Sequence, residues 1–329
     1  MKLAIIGTGK IAVEALSALQ AVHTVETVAI FGRPHSAEKA GALAAQYAIS
    51  EVYTDYRQLL SSTRADTVYI ALINSAHFPY AREALLAGKH VILEKPFTGR
   101  YEEAKELAAL AGERGLFLFE AATVLHGDVL PAMREALPAL GSIRLVQASF
   151  CQYSSRYDAY LNGTVDPMLD PAHFGGALYD LNVYNLYYCV SLFGRPGEVH
   201  YFPNRGFNGC DTSGILVLRH DGFTCTLTAA KDCDGPSHVT IQGEHGTLRL
   251  SGKPNVATDL TLTGRGQAGE PSGSVTLPVS PVHHRMEREF ADFAAILASC
   301  DHDACDALLK TTLSVMWVLD RARATDGMN

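Results

Sequence analysis

Almost wholly apolar strands, joined by amphipathic helices, constrain the first 120 residues of this 329-residue chain more than any other feature. The segments KLAIIG, ETVAIFG, ADTVYIAL, HVILE and LFLFEA are each typical of a buried strand, and the stretches between them carry apolar residues at helical spacing. A strand that is apolar on both faces belongs to a parallel sheet that helices cover on both sides. The sequence therefore predicts a parallel α/β domain over residues 1–120.

The second part of the chain has a different rhythm, because its strands follow one another without helices between them. The predicted strands are EVHYFP, SGILVLRH, FTCTLTAAK, HVTIQGEHGTLRLSG, DLTLTG and SVTLPV. The turn signals HDG and EHG favour hairpins, so we expect roughly six antiparallel strands. Two further helices are predicted near the C-terminal end of the sequence. Residues 121–329 should thus form an α+β domain with an open antiparallel sheet.

Composition restricts the classes of partner. The net charge of −8 gives no basic surface for nucleic acid or for an anionic membrane, and no apolar run approaches the length of a membrane span. The seven cysteines contain no CxxC pair, which favours reduced thiols in a cytoplasmic protein. Cys300, His302 and Cys305 are close in sequence, but their spacing matches no usual metal site, and a solvated connection between helices is the favoured interpretation.

The motif GTGKIA lies between the first predicted strand and the first predicted helix. Its first glycine permits a tight turn, and its second lets a pyrophosphate approach the backbone at the helix N-terminus. In this position the pattern predicts a dinucleotide-binding Rossmann domain. The residues expected to hold the cofactor here are Gly7, Thr8, Gly9, Lys10 and Ile11.

The end of the second predicted strand bears on the choice between NAD and NADP. An acidic residue there would bind the ribose 2′-hydroxyl of NAD, but the strand ends in Gly32, followed by Arg33. An arginine at this place can pair with the 2′-phosphate of NADP. Both cofactors stay possible and NADP is favoured; the alternative for Arg33 is a solvated loop charge.

The order of GxGxxA, NSAH, AGKHVILEKP and GGALYDLNVY resembles the Gfo/Idh/MocA family, named after glucose–fructose oxidoreductase and inositol dehydrogenase, over nearly the whole chain. The resemblance implies that Lys95 reaches the substrate beside the nicotinamide, at the carboxyl end of a parallel strand where such sheets bind ligands. It also assigns further residues to the cofactor site, namely Leu72, Asn74, His77 and Glu94.

The segment GGALYDLNVYNL resembles the family's helix that brings substrate-domain groups to the cofactor. Asp180 and Tyr184 are four residues apart, so both should lie on one helical face. The resemblance implies that Tyr184 moves a proton on or off the substrate oxygen, with Lys95 close by. Asp180 would bind a substrate hydroxyl or steady the ammonium of Lys95.

The sequence departs from the family pattern in two places. An isoleucine precedes Asn74 where the family often has proline, and the segment FEAATVLHGDVLP lacks the Trp and Arg of the dihydrodiol dehydrogenases. His126 lies in that segment and could substitute for them, although a lone histidine is more often structural. A narrower assignment to the dihydrodiol dehydrogenases is therefore not supported.

The resemblance implies NAD(P)-dependent oxidation of a secondary alcohol, or reduction of the matching carbonyl, in a sugar, polyol or related hydroxylated ring. Two alternatives within the same fold are an NAD-dependent glycosidase and a regulator that senses the cofactor without catalysis. The presence of Lys95, Asp180 and Tyr184 argues against the regulator. We expect the loop over residues 153–176 to carry substrate determinants, and a homodimer or dimer of dimers to form through the C-terminal sheet.

Overall fold

The chain folds as two units, and the computed structural model describes residues 1–266, 271–280 and 283–325. The first unit comprises Met1–His126 together with Val282–Leu313. The second unit comprises Gly127–Pro281 together with Ser314–Asn329. The first unit is therefore built from two separate stretches of sequence.

The strands of both units are named here in chain order. They are β1 (Lys2–Ile6), β2 (Glu26–Phe31), β3 (Glu51–Tyr53), β4 (Thr67–Ile70), β5 (His90–Glu94), β6 (Leu118–Ala121), β7 (Ile143–Cys151), β8 (Glu198–Arg205), β9 (Asp211–His220), β10 (Phe223–Ala230), β11 (His238–Gly243), β12 (Gly246–Ser251), β13 (Asp259–Arg265) and β14 (Pro271–Leu277).

The α-helices are also named in chain order. They are α1 (Lys10–Leu19), α2 (Ala37–Gln46), α3 (Tyr56–Ser62), α4 (Asn74–Leu86), α5 (Tyr101–Glu113), α6 (Val129–Ala136), α7 (Tyr157–Leu161), α8 (Val183–Phe193), α9 (Glu287–Ser299) and α10 (His302–Thr325). Short 3₁₀ turns join several of them, and a π-helical turn, Leu178–Asn182, leads directly into α8.

The sheet of the first unit has, within the described residues, six strands in the order β3-β2-β1-β4-β5-β6, all paired in parallel. The order reverses between β1 and β4, and ligands of such sheets bind outside the carboxyl ends of the strands at this point. The chain leaves β1 at Ile6, β4 at Ile70 and β5 at Glu94, so these three ends share one edge. The α/β fold predicted for this part of the chain is confirmed.

The core of the first unit is completed by helix α9 from the far end of the sequence. Phe290 and Phe293 are fully buried. The ring of Phe290 meets that of Tyr69 at 5.2 Å between centroids, and Phe293 stacks on Phe119 at 4.7 Å. Both partners are fully buried strand residues, Tyr69 on β4 and Phe119 on β6. The α9 helix therefore covers apolar strand surface that water would otherwise reach.

The sheet of the second unit has eight strands among the described residues, in the order β14-β13-β12-β11-β7-β10-β9-β8. The β7–β10 pair is parallel, and the other neighbours are antiparallel. The predicted α+β class with a mostly antiparallel sheet is confirmed. The expected six strands become eight because the hairpin HVTIQGEHGTLRLSG counts as two and β7 inserts between β10 and β11.

The π-helical turn and α8 are fastened to one face of this sheet by two buried asparagines. Asn182 donates its amide to the carbonyl of Leu227 at 3.1 Å, and Asn185 donates to the carbonyl of Thr228 at 3.1 Å. Both asparagines are fully buried, and their acceptors lie on β10. These side chains fix the distance between the helix and the strand, because a buried amide that loses its partner costs free energy.

The division into units differs from the predicted domains in one respect. The predicted boundary at residue 120 is close to the observed one after His126, but residues 282–313 were predicted with the second domain and group with the first unit. The physical reason is the apolar face of α9, which packs on β4 and β6 of the first sheet. The substrate-binding and dimerisation roles assigned to the second domain stay predictions.

The strand β3 and helix α3 were not predicted, because three and seven residues carry too little periodicity to identify. In the described part of the chain, no helix is long and apolar enough to cross a membrane. Within the same residues, no group of three or more metal-ligating side chains is found. His302, the residue considered for a metal site, stacks on Phe117 at 4.3 Å.

Candidate active site

The turn between β1 and α1 has the geometry that the glycine motif predicts. Gly7 has a φ of +124°, and a Cβ added there would lie 2.4 Å from the carbonyl oxygen of Ala71, so only glycine fits. Gly9 caps α1 without a side-chain hydrogen bond, and an added Cβ would meet nothing within 4 Å. The first turn of α1 carries no acidic side chain. An anion can therefore approach the helix N-terminus, which fits a dinucleotide pyrophosphate.

The neighbouring residues of the motif border this turn. Thr8 is half-buried, and Lys10 and Ile11 are the first two residues of α1. The ammonium of Lys10 is exposed and lies 4.0 Å from the carboxylate of Glu14. Their assignment to cofactor binding stays a prediction that this geometry permits.

The end of β2 has no room for the acidic side chain that binds the ribose of NAD. A Cβ added at Gly32 would lie 2.9 Å from the Cβ of Ala40 and 3.0 Å from the carbonyl oxygen of Ser36. Arg33 follows at the surface, where its carbonyl accepts bonds from the backbone N–H and the hydroxyl of Ser36. No ion pair to the Arg33 guanidinium is found among the described residues. Because an acidic side chain does not fit at Gly32, the charged side chain that follows β2 directly is that of Arg33.

Lys95 lies at the carboxyl end of β5, and the buried carboxylate of Glu94 holds its backbone. Glu94 accepts a hydrogen bond from the backbone N–H of Lys95 at 3.2 Å and a short one from the hydroxyl of Tyr69. Burial raises the pKa of the Glu94 carboxyl, although the Tyr69 hydroxyl and the Lys95 ammonium oppose the rise. Lys95 itself is half-buried and is joined to Pro96 by a cis peptide bond. The carboxylate of Glu94 therefore fixes the loop that carries Lys95.

A second buried acid, Glu289, lies near Glu94. Glu289 of α9 is fully buried, and its carboxyl oxygens have no hydrogen-bond partner among the described residues. Burial, and after it the nearby Glu94, raise the pKa of Glu289 well above its usual value, so the protonated carboxyl is favoured there. Glu289 is thus a second buried acid beside Glu94.

His77 links the loops that follow β4 and β5. Its ring is fully buried, with Nδ1 2.9 Å from the carbonyl oxygen of Pro96 and Nε2 3.1 Å from that of Leu72. Burial lowers the pKa of His77, although both carbonyls oppose the change. Asn74, the first residue of α4, is also buried. The ring of His77 therefore fixes the loops, and direct contact of His77, Leu72 or Asn74 with a cofactor stays a prediction.

In the second unit, Asp180 and Tyr184 lie on the continuous segment formed by the π-helical turn and α8. Asp180 belongs to the π-helical turn, and Tyr184 is the second residue of α8. The ring of Tyr184 is buried and lies 5.7 Å from that of Phe150 and 6.4 Å from that of Tyr187. A uniform α-helix was expected here. Turns with π geometry inside α-helices are frequent at functional sites.

The start of this segment is anchored by Asp211 of β9. Its Oδ2 accepts hydrogen bonds of 2.7 Å from the backbone N–H of Leu178 and from the hydroxyl of Tyr201. A Cβ at Gly176 would lie 1.9 Å from the other carboxylate oxygen, which explains a glycine in the GGALYD motif. Burial raises the pKa of Asp211 to about 6, although both donors oppose the rise.

Asp180 forms an ion pair that the sequence interpretation did not include. Lys231 donates from Nζ to Oδ2 of Asp180 at 2.8 Å, and its side chain is only 3% exposed. The same Nζ donates to the carbonyl oxygen of Met168 at 2.8 Å. The expected ammonium partner for Asp180 was Lys95, which is in the other unit. The observed partner within the second unit is Lys231.

His126 and Tyr188, which lies one turn beyond Tyr184 on α8, both make contacts within their own units. Nδ1 of His126 is 3.0 Å from Oδ2 of Asp292, and the His126 ring packs edge-on against Phe293. Tyr188 is buried, and its hydroxyl donates to the carbonyl oxygen of Pro254 at 3.0 Å. Both side chains are held inside their own units, as expected for packing residues.

Sequence reasoning missed four residues that lie near the candidate residues within one unit or the other. They are Tyr69, Lys231, Asp211 and Glu289. Lys231 had a signal, because it puts a charge directly after the apolar strand β10, as Lys95 does after β5. Asp211 had none, since it is the first residue of β9. Tyr69 and Glu289 had no signal in the sequence, because Glu94, the residue that both of them neighbour, is distant from each of them along the chain.

Comparisons with known proteins agree with this geometry. Residues 1–121 match the family model described as "Oxidoreductase family, NAD-binding Rossmann fold", and residues 133–249 match the "GFO/IDH/MocA C-terminal domain". The chain is 35% identical over 248 residues to scyllo-inositol 2-dehydrogenase (NADP+) of Bacillus subtilis, which covers 75% of each protein.

Two further relatives act on or bind nucleotide-linked molecules according to their names. The chain is 35% identical over 245 residues to dTDP-3,4-didehydro-2,6-dideoxy-alpha-D-glucose 3-reductase of Streptomyces violaceoruber, covering 71% of this chain and 68% of the relative. It is 25% identical to a 3-ketoreductase from Actinomadura kijaniata solved with NADP and TDP-benzene, with a TM-score of 0.86 and coverage of 99% and 97%. These names favour hydride transfer over the glycosidase and regulator alternatives. The chain belongs to the Gfo/Idh/MocA family of NAD(P)-dependent oxidoreductases.

Proposed function

We propose that this enzyme uses NADP to interconvert a secondary alcohol and a ketone in a sugar, a polyol or a related hydroxylated ring. The observation that carries the proposal is the placement of Lys95, held by Glu94 at the same sheet edge as the glycine turn of β1 and α1. The relatives named for inositol and for a deoxysugar support the substrate class. A panel with scyllo-inositol and D-glucose, read by the absorbance of reduced nicotinamide, tests it; no turnover with any hydroxylated ring would contradict it.

Preference for NADP follows from the crowded Gly32 and the exposed Arg33. A charge-assisted contact to the 2′-phosphate contributes about 1.5–3 kcal/mol, which corresponds to roughly ten- to hundredfold in affinity. Arg33→Ala should weaken NADP by that factor and leave NAD unchanged. Lys2→Ala is the matched control, because Lys2 is an exposed cation at the opposite end of β1. Equal NADP affinity in wild type and Arg33→Ala would contradict the assignment.

In the proposed reaction the bound nicotinamide supplies or accepts the hydride. Tyr184 gives a proton to the substrate oxygen during reduction and takes it back during oxidation. The ammonium of Lys95 stabilises negative charge on that oxygen, and Asp180 accepts a hydrogen bond from a neighbouring hydroxyl. Positioned proton transfer contributes about 10²–10⁴ in rate, so Tyr184→Phe should lower kcat by that order while cofactor affinity stays unchanged.

The matched control for Tyr184→Phe lies one turn further along α8. Tyr188→Phe removes the hydrogen bond to Pro254 and should cost about 1 kcal/mol of stability, with kcat per folded molecule unchanged. Lys95→Ala should reduce kcat at least as much as Tyr184→Phe. Full activity of Tyr184→Phe, with loss of activity in Tyr188→Phe, would contradict the role of Tyr184 and assign proton transfer to Tyr188.

The same proposal includes a homodimer, or a dimer of dimers, through the second sheet. The face of this sheet that points away from α8 exposes apolar side chains, among them Leu145 (47%), Ile215 (45%) and Phe202 (62%). Apolar side chains gathered on one exposed sheet face are typical of an interface. Sedimentation of wild type and Ile215→Lys tests this: the variant should dissociate, and a wild-type monomer of 35.5 kDa would contradict it.

A cytoplasmic location is also part of the proposal. All seven cysteines are free thiols, including the exposed Cys233 and Cys300. Free exposed thiols persist in a reducing compartment. Fractionation of the source cells would test this, and recovery outside the cytoplasm would contradict it.

A further inference from the structure

Lys231 is a buried cation with two fixed acceptors. Its side chain is 3% exposed, and its Nζ donates to Oδ2 of Asp180 and to the carbonyl oxygen of Met168, each at 2.8 Å. Its backbone is also held, because its N–H donates to the carbonyl of Thr212 and its carbonyl accepts from Ser154. Such a lysine cannot swing away without leaving buried polar groups unsatisfied.

The ammonium of Lys231 acts on the carboxylate of Asp180, which is the more exposed member of this ion pair. The Asp180 side chain is 20% exposed, whereas that of Lys231 is almost completely covered. An adjacent ammonium favours the ionised carboxylate and holds one of its oxygens in place. Asp180 is thereby kept as a hydrogen-bond acceptor with a fixed direction, and it is not suited to donate a proton.

Other titratable groups surround the pair. Asp211 on β9 and Cys210 next to it both lie within the electrostatic range of Lys231. The Asp211 carboxylate is engaged by Leu178 and Tyr201, so the direct ion pair of Lys231 is with Asp180.

We propose that Lys231 is a positioning residue that orients Asp180 toward a substrate hydroxyl and ties the 153–176 loop to the same carboxylate. The proposal rests on the proposed function, in which Asp180 contacts substrate. The tie to the loop runs through the Met168 carbonyl, which lies within residues 153–176. One ammonium group therefore binds both the backbone of this loop and the carboxylate of Asp180.

The kinetic test uses Lys231→Met with scyllo-inositol and NADP as the probe. This change removes the charge and keeps the length, and it should lower kcat/KM about 10- to 100-fold while the Kd for NADP stays the same. The acidic limb of the kcat/KM profile should move to higher pH, because Asp180 takes up a proton more readily without the ammonium. Lys231→Arg should restore part of the activity, and Lys253→Met, an exposed lysine of the same unit, should change nothing.

A double-mutant cycle separates positioning from loss of fold. Because Lys231 acts through Asp180, Lys231→Met should have little further effect on kcat/KM in an Asp180→Asn background. The double variant buries no unpaired charge, so it folds even where Lys231→Met alone does not. Unchanged kcat/KM and pH profile in Lys231→Met, or additive effects in the cycle, would overturn the proposal.

A third measurement does not depend on activity. Trypsin should cleave at the exposed Arg156 in the loop faster in Lys231→Met than in wild type or Lys253→Met, because the bond to the Met168 carbonyl is lost. Equal cleavage rates would overturn the tie to the loop. If wild type turns over no hydroxylated ring, the proposed function fails, and the proteolysis still decides whether Lys231 holds the loop.

Discussion

The buried carboxyl of Asp211 makes the stability of the second unit depend on pH, and Asp211→Asn should remove this dependence. The pKa of Asp211 rises from 3.8 to about 6 on folding because the side chain is 3% exposed. The folded protein therefore binds a proton more tightly than the unfolded chain does. This contribution is complete below about pH 4 and is lost as the pH rises through about 6.

The magnitude follows from the size of the shift. A difference of about 2 pH units at 1.36 kcal/mol per unit gives about 3 kcal/mol in all, of which about 2 kcal/mol is lost between pH 4.5 and pH 7.5. The amide that Asp211→Asn introduces has nearly the same shape as the carboxyl and still offers an oxygen to the Leu178 N–H or the Tyr201 hydroxyl. It does not ionise, so the unfolding free energy of the variant minus that of wild type should rise by about 2 kcal/mol between pH 4.5 and pH 7.5.

Trp317 supplies the assay. It is the only tryptophan of the chain and belongs to the second unit, so its fluorescence during urea titration reports the unfolding of that unit. Titrations from pH 4.5 to 7.5 compare wild type, Asp211→Asn and Asp221→Asn, the last being an exposed turn residue. The difference for Asp221→Asn should stay flat. Parallel pH profiles for wild type and Asp211→Asn would refute the reasoning.

Two other substitutions test the packing of the first unit. Gly32→Asp should cost about 1–3 kcal/mol of unfolding free energy without tightening NAD binding, because the new Cβ would press on Ala40. Thermal melts should show no comparable loss for Gly41→Asp, where the space is open. A stable Gly32→Asp variant with tighter NAD binding would contradict this prediction. Glu289→Gln should make the unfolding free energy in urea less dependent on pH, because the raised pKa of Glu289 gives the wild type stability at low pH that is lost as the pH rises. The same pH dependence in both proteins would contradict the raised pKa.

The sequence predicts the glycine turn of the first unit better than the surroundings of Asp180 in the second unit. The glycine turn and Arg33 follow from local rules that depend on a few neighbouring residues, and the structure confirms the turn geometry around Gly7. The ion pair between Lys231 and Asp180 joins residues 51 positions apart in sequence. No local pattern identifies which buried lysine meets which carboxylate, because this depends on how β10 is placed against the π-helical turn.

The helical geometry around Asp180 was also beyond local rules. LYDLN contains no proline or glycine that marks a break, and the π-helical turn is observed where Asp211 and Asn182 fasten both ends of the segment to the sheet. By contrast, the charged residue after an apolar strand is a usable signal. Lys95 fits this rule after β5, and the same rule applied to FTCTLTAAK would have identified Lys231.

The position of α9 has a consequence for how this protein is made. Ribosomes complete the N-terminal stretch up to His126 before the roughly 160 residues that precede Glu287 are synthesised. At about 5–20 residues per second, the surfaces of Tyr69 and Phe119 that later receive α9 stay uncovered for roughly 10–30 s. The nascent chain is open to aggregation during this interval. An isolated fragment of residues 1–126 would keep that vulnerability permanently.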